Sequence, residues 1–140
     1  MIEHRIYRSK IGLGLVAFVG IVLLIVFAIM IVNQIWVGFL INLLATSFIF
    51  YTLLTTQYII SKDSLRIQSG FLYDETLTIN NIISITETRN PLSSPAASLE
   101  RLELKLKNSY SILISPKEKN EFIDHILQIN SAVIVNVKNK

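Results

Sequence analysis

The chain has 140 residues, 51% of them hydrophobic and 16% charged, with a formal net charge of +3. That size suits one domain plus a membrane anchor. Residues 1–60 carry a net charge of +2, and residues 61–140 hold ten basic against nine acidic side chains. Without a basic block or an arginine stripe, no nucleic-acid partner is expected. Cysteine is absent, which removes disulfides, thiolate nucleophiles and cysteine metal sites.

Residues 1–10, MIEHRIYRSK, form a short basic lead-in with Arg5, Arg8 and Lys10. Fifty-one residues then pass, from Ile11 to Ser61, without an Asp, Glu, Lys or Arg. A membrane span takes about 20 apolar residues, and one helix of this length would measure about 75 Å. The run therefore predicts two helices, 11–32 and 35–54, turning at Asn33-Gln34. A cleaved signal peptide would have an apolar core of about 7–15 residues and a small-residue cleavage site, and the stretch ending Met-Ile-Val-Asn-Gln has neither.

Cations precede the first helix and follow the second, as Lys62 and Arg66, while the connection carries none. The positive-inside rule then places both termini in the cytoplasm of a multi-pass membrane protein. Trp36, Tyr51 and Tyr58 suit the interfacial aromatic belts. On the second helix Gly38, Asn42, Ala45 and Thr46 share one face, an interhelical contact surface that the first helix would approach through Gly20. Asn42 is read as an interhelical hydrogen bond rather than an ion or substrate ligand, since no ionisable group accompanies it.

Past Leu54 the pattern turns to alternation, the period of half-buried strands. Thr56–Ile60, Leu65–Ser69, Glu75–Ile79 and Ile82–Thr88 are predicted strands, with turns at Ser61–Ser64, at Gly70 and at Asn80-Asn81. Residues 89–98, RNPLSSPAAS, are a loop. In Leu99–Lys107, Leu102, Leu104 and Leu106 face one way, while Arg101, Glu103, Lys105 and Lys107 form a solvated charged face. Asn108-Ser109 turns the chain into a strand at Tyr110–Ile114. A helix follows, with Ser115 as N-cap, Pro116 at its first position and Glu118 completing a capping box. Phe122, Ile123, Ile126, Leu127 and Ile129 make its apolar face, and Asn130 closes it. Residues 131–140 are a tail in which Ala132–Val137 adds a last short strand.

Six short strands and then an amphipathic helix is the element order of a pleckstrin-homology-like (PH-like) domain. The stretch from Ser94 to Leu104, SPAASLERLEL, resembles the S-P-x-x-S-L-x-R-L-x-I segment of the YyaB-like bacterial PH domain family. Ile114–Lys119 with Phe122-Ile123 resembles that family's I-S-P-K-x-K-x-x-F-I segment. The resemblance covers residues 55–130. It implies an α+β membrane protein: a two-helix transmembrane hairpin, then an antiparallel barrel or bent sheet capped by a helix, on the cytoplasmic face of a bacterial inner membrane. A full PH barrel has seven strands before its helix, so here either one strand is hidden or the barrel is reduced. Some small membrane-anchored PH-like proteins of bacteria are similar to immunity proteins that protect a producer from its own bacteriocin.

No catalytic constellation emerges. Nucleophilic catalysis needs a nucleophile beside a base and an orienting group, but His4 adjoins the membrane and His125 lies on the terminal helix. Asp124 and His125, as helix neighbours, point apart. Asp74 and Glu75, as strand neighbours, face opposite ways. Two scattered histidines give no metal-ligand spacing, and no glycine-rich phosphate loop exists. No enzyme activity, metal or cofactor is therefore expected.

The phosphoinositide pattern K-x(n)-[KR]-x-R of eukaryotic PH domains is met only by Lys62 and Arg66, with Gln68 where the last arginine would stand. Arg5, Arg8, Lys10, Lys62 and Arg66 are instead expected as headgroup contacts, each contributing about 1 kcal/mol of attraction to an anionic surface. Pro91, Ser94, Pro95, Ser98 and Arg101 are the candidate contacts to a partner, a membrane protein or a peptide, because binding residues concentrate on loops held by a scaffold. The resulting expectation is a non-catalytic interaction module, bacteriocin-immunity-like in role. Anionic-lipid sensing or the scaffolding of other membrane proteins is the alternative. Nothing in the sequence sets an oligomeric state.

Overall fold

A computed structural model describes residues 4–89 and 100–138. Two apolar helices come first in the described chain after one strand: α1 spans Leu13–Val32 and α2 spans Trp36–Leu54. Both are apolar all round, and neither buries a single residue within the molecule. Each is long and apolar enough to cross a bilayer. Gln34, with φ of +54°, reverses the chain between them.

The remaining elements make two four-stranded sheets and a helix. β1 (His4–Arg8), β2 (Gln57–Ser61), β3 (Ser64–Ser69) and β4 (Tyr73–Thr78) form an antiparallel meander in that order. The second sheet has the order β7-β6-β5-β8, from β5 (Ile82–Thr88), β6 (Arg101–Leu106), β7 (Ser111–Ile114) and β8 (Ile134–Asn136). β8 runs parallel to β5, pairing Ile134, Val135 and Asn136 with Ser84, Ile85 and Thr86. α3 (Lys119–Ile129) lays Phe122, Ile123 and Ile126 into the core between the sheets. There Phe122 meets Tyr7 edge-on at 5.3 Å and Tyr58 at 6.2 Å.

β1 corrects the reading of residues 1–10 as a free lead-in. His4–Arg8 pairs with β2 in register from His4↔Ser61 to Arg8↔Gln57, and among the described residues it brings the strands ahead of α3 to seven. The helical hairpin is therefore inserted between the first two strands of the barrel. Its local signal is weak: only Tyr7 of the five strand residues faces inward, and the partner strand lies about fifty positions on.

The barrel closes where the hairpin joins it. Beyond β1, Ser9 bridges to Pro116, Lys10 N–H donates to the Ser115 carbonyl at 2.7 Å, and Lys117 N–H donates to the Arg8 carbonyl at 2.9 Å. This pairing overrides the expected helix start. Ser115 and Pro116 continue β7 as extended chain, and α3 begins three residues later than expected, at Lys119, with Glu118 at its N-cap position. Local capping preferences lose here to hydrogen bonds that complete the sheet.

Two further expectations are corrected by burial. Tyr58, assigned to an interfacial belt, is fully buried in the core, because alternation along β2 turns Tyr58 and Ile60 inward together. Arg101, assigned to a solvated face, is only 6% exposed; it opens β6 opposite Thr88.

Candidate functional site

The end of the barrel that carries the helices, here the base, gathers the polar and apolar features of interest. β1 descends to it, β2 leaves it, and the β3–β4 turn returns to it. A buried polar clasp occupies its centre. Tyr58 Oη donates to Ser9 Oγ at 3.3 Å and accepts the Ser115 N–H at 3.0 Å. Ser115 Oγ donates to the Glu100 carbonyl at 2.6 Å, and Ser9 Oγ to the Ser115 carbonyl at 3.4 Å. Thr56 Oγ1 reaches back into α2, donating to the Thr52 carbonyl at 2.8 Å, and lies 2.8 Å from Ser69 Oγ. Tyr58 Oη supplies an acceptor to the Ser115 N–H and Ser115 Oγ a donor to the Glu100 carbonyl; a buried backbone group left without a partner costs about 1–3 kcal/mol. Burial raises the Tyr58 phenol above its ordinary pKa, the bonds to Ser9 and Ser115 opposing the shift. The phenol therefore stays neutral and able to donate.

Beside the clasp lies a cleft of about 810 Å³ at the N-terminal end of α3. Its lining alternates in sign: Lys10, Arg89, Lys117, Lys119 and Lys138 against Glu87, Glu100, Glu118 and Glu121. Lys10 pairs with Glu100, and Lys119 with Glu87 at 3.4 Å. Arg89 and Glu100, the residues that flank the 90–99 segment, both stand on its rim. The expected contact residues Pro91, Ser94, Pro95 and Ser98 lie outside the described residues. Arg101, the fifth, is described and is buried.

The third feature is apolar. Gly70, at φ +59°, turns β3 into β4, and the turn rests on the last turns of α2. A Cβ at Gly70 would stand 3.2 Å from Thr52 Cγ2 and 3.5 Å from Tyr51 Cε1. Phe71 packs on Phe48 at 5.7 Å and on Tyr51 at 6.2 Å. Even so, Phe71 is 72% exposed and its neighbour Leu72 68%. Sequence reasoning missed this pair because it falls in a turn, outside any periodic run; the signal available was two adjacent large apolar residues directly after a turn glycine.

The five cations expected at lipid headgroups do not share one level. Arg8 and Lys10 are at the base, opposite Gln57 and beside Ser115. Lys62 is at the other end of β2, in the two-residue turn to β3 with φ of +53°. Six residues of strand from Thr56 put it roughly 20 Å from the base. Arg5 sits opposite Ile60, near that same far end, and pairs with Glu121. Arg66 is bidentate to Asp74, Nε to Oδ1 at 2.7 Å. This bond holds the Asp74 carboxyl below its usual range, chiefly through the Arg66 hydrogen bond. Closeness in sequence to the apolar helices does not keep a cation close to them in space, because β2 leads directly away from the end of α2.

In the hairpin, Thr46 Oγ1 donates to Asn42 Oδ1 at 3.2 Å, a bond within α2. Space for a Cβ at Gly20 is open, with nothing within 4 Å, whereas Gly38 lies against Met30 of α1 at 3.6 Å. Close approach of the helices is thus at their connected end, where Phe27 and Phe39 also meet edge-on at 5.0 Å.

His125, read as a solvated helix-face residue, is half-buried, its Nδ1 3.1 Å from Tyr7 Oη. Burial raises the Tyr7 phenol pKa. The Tyr73 phenol is raised by burial first and then by its bond to Glu75 Oε2 at 2.5 Å. These phenols fasten strands to their surroundings, and their raised pKa values make them poorer proton donors to a substrate at neutral pH.

Two packed sheets, antiparallel but for the parallel edge strand β8, with seven strands among the described residues ahead of a helix that lies in their core, are the architecture of a PH-like domain. The model of the family described as Bacterial PH domain matches residues 56–130, more than half of the chain. The chain belongs to that family. The match opens at Thr56, so β1 and the helical hairpin of this PH protein fall outside the matched residues. No curated protein and no solved structure matches the chain. PH domains are in general non-catalytic interaction modules that bind lipids or proteins.

Proposed function

We propose that this PH protein is a multi-pass protein of the bacterial inner membrane, of the YyaB-like kind, with both termini in the cytoplasm. There the barrel presents its base, the charged cleft and the 89–101 segment to an incoming membrane protein or peptide. The role would be that of a non-catalytic recognition module, as in bacteriocin immunity. The observation that carries this reading is the insertion of α1 and α2 into the β1–β2 connection. It holds the base and its cleft against the surface through which the helices would pass, where a membrane-borne partner arrives. The signs of charge in the cleft alternate, which suits a polar partner of defined shape better than a uniformly anionic one.

The test is expression of the full chain in a bacteriocin-sensitive strain. Protection against at least one membrane-active peptide is expected, and it should be lost in a Glu100→Lys variant that reverses the cleft's pairing. Unchanged killing across a broad panel would remove the immunity role.

The alternative, a reader of anionic lipid, receives less support. Arg5, Lys10 and Arg66, three of the five cations assigned to headgroups, are paired with Glu121, Glu100 and Asp74, and paired charges attract a surface weakly. It predicts a strong preference for anionic over neutral lipid in the full protein. A fragment such as 61–140 cannot serve for this comparison, because it lacks β1 and β2.

A further inference from the structure

We infer that the β3–β4 turn is a second membrane contact, with Phe71 and Leu72 seated in the bilayer beside α2; this rests on the membrane reading proposed above. Two large apolar side chains, adjacent and about 70% exposed, sit at the tip of a hairpin whose flanking strand residues are Ser69 and Tyr73. The tip is held in place. Ser69 Oγ donates to the Thr52 carbonyl at 3.4 Å and lies 2.8 Å from Thr56 Oγ1, and a Cβ at Gly70 would stand only 3.2 Å from Thr52 Cγ2.

What covers the tip follows from its continuity with α2. Phe71 stacks on Phe48 and Tyr51, which lie six and three residues before the end of that helix at Leu54. At 1.5 Å per residue these positions are about 9 and 4 Å below the helix end. A helix of 19 residues is about 28 Å long, close to the roughly 30 Å of a hydrocarbon core. Any bilayer that accommodates α2 therefore reaches the level of Phe71. Phe48, Tyr51, Phe71 and Leu72 then form one continuous apolar surface, and the occupant is the outer part of the acyl-chain region. A span joined to a barrel by a short connection can pivot; a span plus a seated turn fixes the tilt of the barrel and so the direction in which the cleft opens.

The chain has no cysteine, so single labels report cleanly. In the full chain reconstituted in phosphatidylcholine vesicles, an environment-sensitive fluorophore is placed by Phe71→Cys or Leu72→Cys. Asp63→Cys, on the opposite turn, and Leu24→Cys and Leu44→Cys, on the outer faces of the helices, are the references. Expected is a blue-shifted emission at 71 and 72 that loses most of its intensity to lipids spin-labelled near the headgroup end of the acyl chain. Iodide should quench it several-fold less than at 63. Labels at 24 and 44 quenched by lipid while 71 and 72 behave like 63 would overturn the inference and leave the spans standing. Labels at 24 and 44 untouched by lipid would overturn the membrane reading, and this inference with it. A tip label shielded from iodide yet untouched by spin-labelled lipid would also overturn it, in favour of a protein neighbour.

Discussion

The helical hairpin and the barrel put their apolar residues on opposite sides. In the barrel, Tyr58, Ile60, Leu65, Ile67, Leu104, Ile114, Phe122 and Ile126 are wholly shut away from the surroundings, and the polar atoms face out or bond one another. In α1 and α2, Leu24, Leu44 and Val37 are about 70% exposed and no residue is buried. The barrel follows the rule of water, which drives apolar side chains inward; the helices have the composition that a bilayer would accept, where backbone polar groups need only be satisfied within the helix. The polar clasp of Ser9, Thr56, Tyr58 and Ser115 stands where the two regions meet.

The strongest way to break that contrast is to remove one half. Ser9 N–H donates to the Thr56 carbonyl at 3.1 Å, so β1 and β2 already form a hairpin without the helices. Replacing residues 11–54 by an Asn-Gly turn should yield a water-soluble barrel that unfolds cooperatively by circular dichroism. Taking residues 1–9 from that shortened chain should abolish the cooperative transition, since Tyr7 and the closing bridge at Ser9 go with them.

A single aromatic substituted in each half sharpens the contrast. Phe122→Ala in the core should cost about 3–5 kcal/mol. Phe18→Ala, on the outward face of α1, should stay within about 0.5 kcal/mol. Unfolding of both in the same detergent micelles gives the comparison. At the junction, Tyr58→Phe leaves the Ser115 N–H without its acceptor and should cost about 1–3 kcal/mol with no loss of apolar packing.

Two pH effects, both confined to the barrel, follow. Tyr7, Tyr58 and Tyr73 have folded pKa values raised above that of the free phenol. Their contribution is complete below the unfolded value of about 10 and is lost as pH rises through the folded values. The phenolate absorbance of these three tyrosines should therefore appear together with alkaline unfolding rather than before it. Asp74 is shifted the other way. Its contribution is present above the unfolded carboxyl value and is lost as pH falls through the folded one. Asp74→Asn should flatten that acid limb only slightly, and less in high salt, because the pair with Arg66 is exposed.

Wherever the cause was local, the fold could be read from the residues. The absence of charge from Ile11 to Ser61 gave both helices within two residues. Alternation gave β3, β5, β6 and β7, with the Asn108-Ser109 turn confirmed by φ of +62° at Ser109. The apolar stripe Phe122, Ile123, Ile126 is the buried face of α3, and Asn130 does close it, its side chain donating to the Ile79 carbonyl at 3.2 Å. What stayed hidden depends on partners distant in sequence. β1 has meaning only beside β2; Ser115 and Pro116 cap nothing because β1 claims their backbone; Tyr58 is a core residue only once Phe122 has arrived. The cleft is less legible still, since Lys10, Glu87, Glu100 and Glu121 come from separate parts of the chain and no spacing links them.

One consequence of threading the hairpin between β1 and β2 concerns biogenesis. The ribosome delivers β1 first, and it must wait, single-stranded, while two greasy segments are made and placed. A chain with one segment inserted in the proposed bilayer would strand the two strands on opposite faces, whereas with both inserted β2 emerges on the side where β1 is waiting. Completion of the barrel would then certify that insertion had not stopped halfway. Lengthening Asn33-Gln34 with charged residues, so that the second segment fails to enter, should leave a protein that proteases clear rapidly.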